Sequence, residues 1–206
     1  MSYAKQHNAT QLNRAVEQLV AGKPVIFPTD TVYGLGVSVR DCKTPACLYE
    51  IKNRKQEKPI AWLVGSLTDL SHYGCKVPDY ACALAKKFWP GSLTLVVNAS
   101  SNVPAVYVSA TGTIGLRMPA NSVALDLIKA LGCPIATTSA NISGCASTNT
   151  FDALDKNLLA KVSVALRGGI SEAKSGVAST VVSCTGNTPV VLRQGQVNIF
   201  AHAPIF

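Results

Sequence analysis

Short apolar runs recur along the chain, each closed by glycine, proline or a cluster of hydroxyls. Segments 25–27, 60–64, 93–97, 113–119, 161–167, 179–182 and 190–195 read as strands, since runs of this length bounded by turn residues favour buried strands. A further strand precedes Thr137. Between these runs the apolar period changes from two to about 3.6. In 10–21, Leu12, Ala15, Val16, Leu19 and Val20 form one stripe, with Thr10 as a cap and Gly22 as the stop. Segment 44–53 buries Cys47, Leu48 and Ile51. Segment 78–88 turns Ala81, Leu84, Ala85 and Phe88 inward before Trp89-Pro90-Gly91-Ser92 breaks it. Asn121 caps a helix with the stripe Ala124, Leu127, Ile128 and Leu131, closed by Gly132. Segment 151–160 is also expected to be helical. Segments 28–37, 98–112 and 139–150 read as long loops, longer than connection alone needs.

Helix and strand alternate through the first two-thirds, and strands dominate the rest. That order predicts an α/β fold: a single-domain open twisted mixed sheet with flanking helices. Apolar residues make up 48% of the 206 and charged residues 15%, so the chain can bury one large core. No apolar run approaches a bilayer span, and residues 1–7 carry no apolar signal core. The expectation is a soluble, cytoplasmic protein with no membrane partner.

Charge sharpens the picture. Nineteen basic against eleven acidic residues give a formal charge of +8, which suggests nucleotide phosphates, nucleic acid or both as partners. The seven cysteines are scattered without a C-x-x-C pair, and the three histidines are unclustered. No metal site and no Ser-His-Asp relay is therefore expected. Cys82 and Cys133 read as small core residues.

The polar residues collect at strand ends. Thr29, Thr31, Tyr33, Lys52, Arg54, Lys58, Arg117, Thr137, Ser139, Asn141, Ser179 and Arg193 can face one crevice. Many cations and hydroxyls with few carboxylates suit an anionic ligand. The set lacks the carboxylate pair of a glycosidase, and the chain lacks a Walker A run and a dinucleotide fingerprint. If a nucleotide binds, side chains hold its phosphates, with arginines as bidentate clamps. The basic run 52–58 can equally be a solvated turn.

Seven pieces occur together in order: Pro28-Thr29-Asp30-Thr31-Val32-Tyr33-Gly34-Leu35-Gly36, Lys52-x-Arg54 with Lys58-Pro59, Pro90-Gly91-x-Leu93-Thr94, Leu116-Arg117-x-Pro119, Ser139-Ala140-Asn141-x-Ser143-Gly144, Ser179-Thr180-Val181-Val182 and Leu192-Arg193-x-Gly195. In this the chain resembles the YrdC-like family, in particular its short, single-domain threonylcarbamoyl-AMP synthases, over about residues 10–200. The resemblance implies a single YrdC-like domain with a basic concave face. It implies synthesis of L-threonylcarbamoyladenylate from L-threonine, bicarbonate or CO2 and ATP, with release of pyrophosphate and with Mg2+ accompanying the ATP. A tRNA-modifying assembly then transfers the threonylcarbamoyl group to adenosine 37 of tRNA.

Position by position, the resemblance implies ATP-binding roles for Arg54, Lys58, Thr113, Ser139, Asn141, Ser147 and Arg193. It implies threonine-binding roles for Thr31, Arg117, Thr137 and Ser179. Lys52 and Arg54 fall on the Lys-x-Arg signature as the catalytic pair, and both are expected to line the surface, where alanine would spare the fold. Two positions depart from the family pattern: Asp30 stands where glutamate is more usual, and Leu63 where some members have histidine. A double-stranded RNA or tRNA-binding module, or a paralogue of the fold with another adenylate-forming activity, fits the same charge pattern. Direct tRNA or double-stranded RNA contact is a further expectation.

Overall fold

A computed structural model describes residues 3–53, 60–168 and 175–201, with side chains of the first helix described from residue 10 on. Helix α1 (Tyr3–Val20) leads into strands β1 (Val25–Phe27) and β2 (Gly34–Ser38). Then come α2 (Ala46–Lys52), β3 (Ala61–Leu63), α3 (Asp69–Tyr73), α4 (Asp79–Phe88), β4 (Leu93–Asn98), a 3-10 turn (Ala105–Tyr107) and β5 (Thr113–Arg117). The chain continues through α5 (Ser122–Leu131), β6 (Ile135–Ser139), α6 (Lys156–Leu159), β7 (Thr180–Ser183) and β8 (Val190–Arg193). The eight strands form one mixed sheet in the order β1-β2-β6-β3-β5-β4-β7-β8, with β3–β5 and β4–β7 parallel and the other pairs antiparallel.

Side chains alternate across the sheet, and the two faces have different fates. One carries Ile26, Leu35, Val37, Ala136, Trp62, Leu116, Leu95 and Val182, buried with Leu48 and Ile51 of α2 and Ala81, Leu84 and Ala85 of α4. Trp62 sits edge-on to both Tyr73 and Tyr107 in that layer. The other face is covered at one end only. There Val25, Phe27, Leu63 and Ile135 pack against Ala15 and Leu19 of α1 and Ala124, Leu127, Ile128 and Leu131 of α5. Asn121 caps α5 as its sequence predicts, accepting from Ala124 N at 3.1 Å, and Gly132 ends it at φ +69°. Beyond these two helices no described helix covers this face.

Several elements differ from the sequence reading. Residues 34–38 are a strand rather than loop, because two glycines disguise it. A Cβ at Gly36 would lie 2.6 Å from Ile135 Cγ2 and 2.9 Å from Thr137 Oγ1, so glycine here permits close approach of β2 to β6. Segment 161–167 is not a strand. It touches the sheet by one parallel bridge, Ala165 to Ile26, with Ile26 N donating to Val164 O and Leu166 N to Ile26 O. Its apolar residues close the β1 edge without forming a ladder. Within 151–160 only Lys156–Leu159 is helical, started by Asp155 accepting from Leu158 N. Helix α3, which the sequence reading does not include, is held by Asp69, whose carboxylate accepts from Gly65 N and Ser66 N. Among the described residues no helix is long and apolar enough to cross a membrane.

Candidate active site

A cavity of about 1120 Å³ lies over the open part of the sheet. Its floor is strand, and the side chains there are small: Gly34, Ala61, Val96 and Gly115. Loop residues Thr44, Pro45 and Ala46 with Tyr49 make one wall, and 106–111 another. Eight of the sequence-predicted site residues line this space: Thr31, Thr113, Arg117, Thr137, Ser139, Ser147, Ser179 and Arg193.

Arg117 ends β5 and is only 6% exposed. Burying a guanidinium is costly unless its N–H groups are engaged. Here Nε donates to Gly91 O at 2.9 Å, Nη1 to Thr31 Oγ1 at 3.0 Å and Nη2 to Asp30 Oδ1 at 2.6 Å. Thr31 is in turn fixed by Thr29, whose hydroxyl lies 2.9 Å away and donates to Val32 O. Burial pulls the Arg117 pKa below its ordinary value, Asp30 pulls it back up, and Arg193 pushes it down again. The last effect means that two like charges share the cavity. An anion between them would relieve that repulsion.

Arg193 ends β8, the outer strand, where Nε donates to Ser179 O at 3.0 Å and Nη2 to Ser179 Oγ at 3.1 Å. Ser179 Oγ also pairs with Thr94 Oγ1 at 2.8 Å. Thr180 holds the turn after β8 in place: its hydroxyl accepts from Gly195 N and Val197 N and donates to Val197 O. The turn passes so close to β7 that a Cβ on Gly195 would lie 2.2 Å from Ala178 O. Desolvation lowers the Arg193 pKa as well.

Lys52 corrects an expectation. It does not line the surface but is 2% exposed, inside the wall formed by the end of α2 and the β6 loop. Its Nζ donates to Ser139 O, to Ser139 Oγ at 3.3 Å and to Asn141 Oδ1 at 3.0 Å. Asn141 Oδ1 also accepts from Ser139 Oγ at 2.5 Å, while its Nδ2 donates to Ile142 O and Cys145 O. Neither Lys52 nor Asn141 lines the cavity. Together they brace Ser139, which does. The reason is local: α2 ends at Asn53 in the left-handed conformation, leaving Lys52 on the inner side of the last turn. Arg54 and Lys58 lie outside the described residues.

The remaining predicted hydroxyls differ in what they can still offer. Thr137 Oγ1 donates to Ile135 O of its own strand at 3.0 Å, so towards a ligand it serves as an acceptor. Thr113 joins Ser109 and Thr111 in a hydroxyl cluster at the rim. Among the described residues no group of three or more His, Cys, Asp or Glu side chains is placed to hold a metal ion.

Comparison with known proteins identifies the family and the fold. The family model Sua5/YciO/YrdC, described as telomere recombination, matches residues 17–195. The chain belongs to this family. A threonylcarbamoyl-AMP synthase of Pyrococcus abyssi is 40% identical over 174 residues, which is 84% of this chain and 51% of the relative. One from Bacillus subtilis is 35% identical over 189 residues, 91% of this chain and 54% of the relative. The chain thus spans about half the length of these two curated relatives. Among solved structures, P. abyssi Sua5 complexed with L-threonine superposes with a TM-score of 0.83 at 38% identity, covering 89% of this chain and 54% of that one. Escherichia coli YciO gives 0.82 at 29% identity, covering 92% and 91%.

For this Sua5/YciO/YrdC chain, the sequence reading passes over two residues that pair with the predicted site residues. In sequence Asp30 stands out only as a departure from the family pattern, yet its carboxylate holds Arg117. Thr94 lies within Leu93-Thr94-Leu95-Val96-Val97, where a β-branched hydroxyl reads simply as strand. Its signal is the period: Thr94 shares a face with Val96 and Asn98, which the cavity wets.

Proposed function

We propose that the protein forms L-threonylcarbamoyladenylate from L-threonine, bicarbonate or CO2 and ATP, releasing pyrophosphate. The observation that carries this reading is the pairing of Arg117 and Arg193 across one cavity, each held through a hydroxyl that lines it. The volume exceeds the usual range for one small ligand and suits a nucleotide with an amino acid beside it. The L-threonine complex of P. abyssi Sua5 supports the amino-acid half of the reading.

The chemistry needs charge neutralisation rather than a side-chain nucleophile. The threonine amine attacks CO2, forming a C–N bond and losing a proton to give a carbamate. A carbamate oxygen then attacks the α-phosphorus of ATP, and the bond to the pyrophosphate oxygen breaks. Two carboxylate-type anions and a triphosphate meet in one space, so buried guanidiniums offset their repulsion. Arg117 receives the threonine carboxylate, with Thr31, Thr137 and Ser179 around the rest of the amino acid. Arg193, Ser139, Thr113 and Ser147 receive the nucleotide, joined by Arg54 and Lys58. Lys52 and Asn141 act through Ser139 as positioning residues.

Among the described residues no carboxylate lines the cavity: its polar side chains are hydroxyls, the Asn98 amide and two guanidiniums, and Asp30 is committed to Arg117. That donor set fits Mg2+ carried on the triphosphate, not ligated by a protein cage. Its contribution is to offset phosphate charge. The product suits a cytoplasmic tRNA-modifying assembly that moves the threonylcarbamoyl group to adenosine 37.

The test is pyrophosphate release from ATP with and without L-threonine and bicarbonate. Release that needs both, with serine a poor substitute, is the expected result. Release independent of either would overturn the substrate assignment.

A further inference from the structure

Thr94 is a buried threonine hydroxyl with no role in the reading above, and its protons can be counted. Thr94 is 4% exposed and Ser179 6%, and both line the cavity. Ser179 Oγ accepts from Arg193 Nη2 at 3.1 Å, and one hydroxyl proton bridges Ser179 Oγ and Thr94 Oγ1 at 2.8 Å. The two hydroxyls carry two protons, so one is left over. Among the described residues neither hydroxyl has another acceptor. A buried donor left unmatched is unfavourable, and here it faces the cavity.

The direction of the chain follows from polarisation. Accepting from a guanidinium makes the Ser179 O–H a better donor, so the cooperative order runs Arg193 to Ser179 to Thr94. The alternative makes Ser179 a double acceptor and forfeits that gain. The spare proton is then the one on Thr94. Leu95 pairs with Leu116 in the antiparallel β4–β5 ladder, so one step along, Thr94 stands opposite Arg117 on the same face.

We infer that Thr94 is a substrate-binding residue, donating its hydroxyl proton to the carboxylate that Arg117 receives, at the end of a hydrogen-bond chain that starts at Arg193. The inference rests on the proposed reading of the cavity and adds a contact to it. It also links the two halves of the site, because the nucleotide-side arginine polarises a donor to the amino acid.

The experiment is calorimetric titration of the full chain with L-threonine, in the presence of a non-hydrolysable ATP analogue, for wild type, Thr94→Val, Thr94→Ser and Thr94→Ala. Thr94→Val keeps the shape and removes the hydroxyl. It should weaken L-threonine at least tenfold, the loss expected for one hydrogen bond to a charged group. The analogue's own affinity should change less than threefold, and Thr94→Ser should restore threonine binding to within threefold of wild type. If Thr94→Val does not fold, Thr94→Ala carries the same comparison. Unchanged threonine affinity in the variant lacking the hydroxyl would overturn the inference. So would equal losses for both ligands, or a serine variant as weak as valine. A wild-type chain that binds the analogue but not L-threonine would overturn the functional reading, and this inference with it.

Discussion

The two arginine stations of the cavity are built differently. Arg117 sits at the end of β5, near the middle of the sheet, with a carboxylate, a hydroxyl and a carbonyl each taking one N–H. Arg193 sits on the outermost strand, exposed, and among the described residues Ser179 supplies both of its acceptors. At the centre, charge is buried first and made tolerable by a counter-charge. At the edge, charge stays near water and is steered by neutral groups. The central station is thus part of what holds the fold together, and the edge station is mainly available to a ligand.

The largest effect that tests this contrast is Arg117→Ala. It leaves the Asp30 carboxylate buried without its partner and should cost about 3–5 kcal/mol in urea unfolding, as well as abolishing threonine binding. Stability within 1 kcal/mol of wild type, by the same measurement, would mean that the centre is no more structural than the edge.

Lys52 belongs to the central kind. Lys52→Met removes one of two donors from each of Ser139 O and Asn141 Oδ1, which keep Asn141 N and Ser139 Oγ, and should cost about 1.5–3 kcal/mol, the worth of hydrogen bonds to a charged group. Circular dichroism melting would read this as a clear drop, contrary to the expectation from sequence that the position is surface-lining. A variant that melts like wild type yet fails to bind ATP would restore that expectation.

At the edge, Gly195→Ala forces the turn away from Ala178 O and should cost about 1–3 kcal/mol, since overpacking against backbone cannot relax cheaply. Its larger consequence should be weaker nucleotide binding, because Arg193 moves with the turn. Arg193→Ala itself should lower stability by only about 0.5–1.5 kcal/mol while removing most nucleotide affinity. Matching losses of stability in Arg193→Ala and Arg117→Ala would erase the distinction.

The smallest effect is a pH dependence. Burial pushes the Cys184 thiol, at the end of β7, up to about 12 from its ordinary 9.0. A raised acid pKa favours the protonated form in the folded state. Its stabilising contribution is therefore fully present below about pH 9 and is lost as pH rises towards 12. At pH 8 iodoacetamide should label exposed Cys75 and Cys145 and spare Cys184. Prompt labelling of Cys184 would mean that β7 opens, so that the edge half is loose in its core as well as at its rim.

The alternation of strands and helices was legible because its signals are local. The stripe of α5 and its Asn121 cap, or the apolar run of β4, depend on neighbours in sequence. Strand β2 was hidden because Gly34 and Gly36 answer to β6, about a hundred residues away. Segment 161–167 has strand composition but finds only one bridge, a matter of what lies beside it. The same division holds at the site. Motif positions supplied eight of the predicted site residues that line the cavity or its rim, whereas the engagement of Asp30 with Arg117, the pairing of Thr94 with Ser179 and the inward turn of Lys52 are properties of pairing across strands and loops. The chemistry of a side chain is written at its own position; its partner is written elsewhere.

The bare half of the sheet has a consequence for how a ligand would be felt. Floor strands β3, β5 and β4 are hydrogen-bonded on both sides, while the walls are loops and a short helix. Amide exchange of the floor should therefore follow whole-molecule opening and be slow with or without substrate. Protection gained on binding should fall on the walls, around 44–49 and 106–111. Binding heat would then carry the ordering of those walls, with little contribution from the floor.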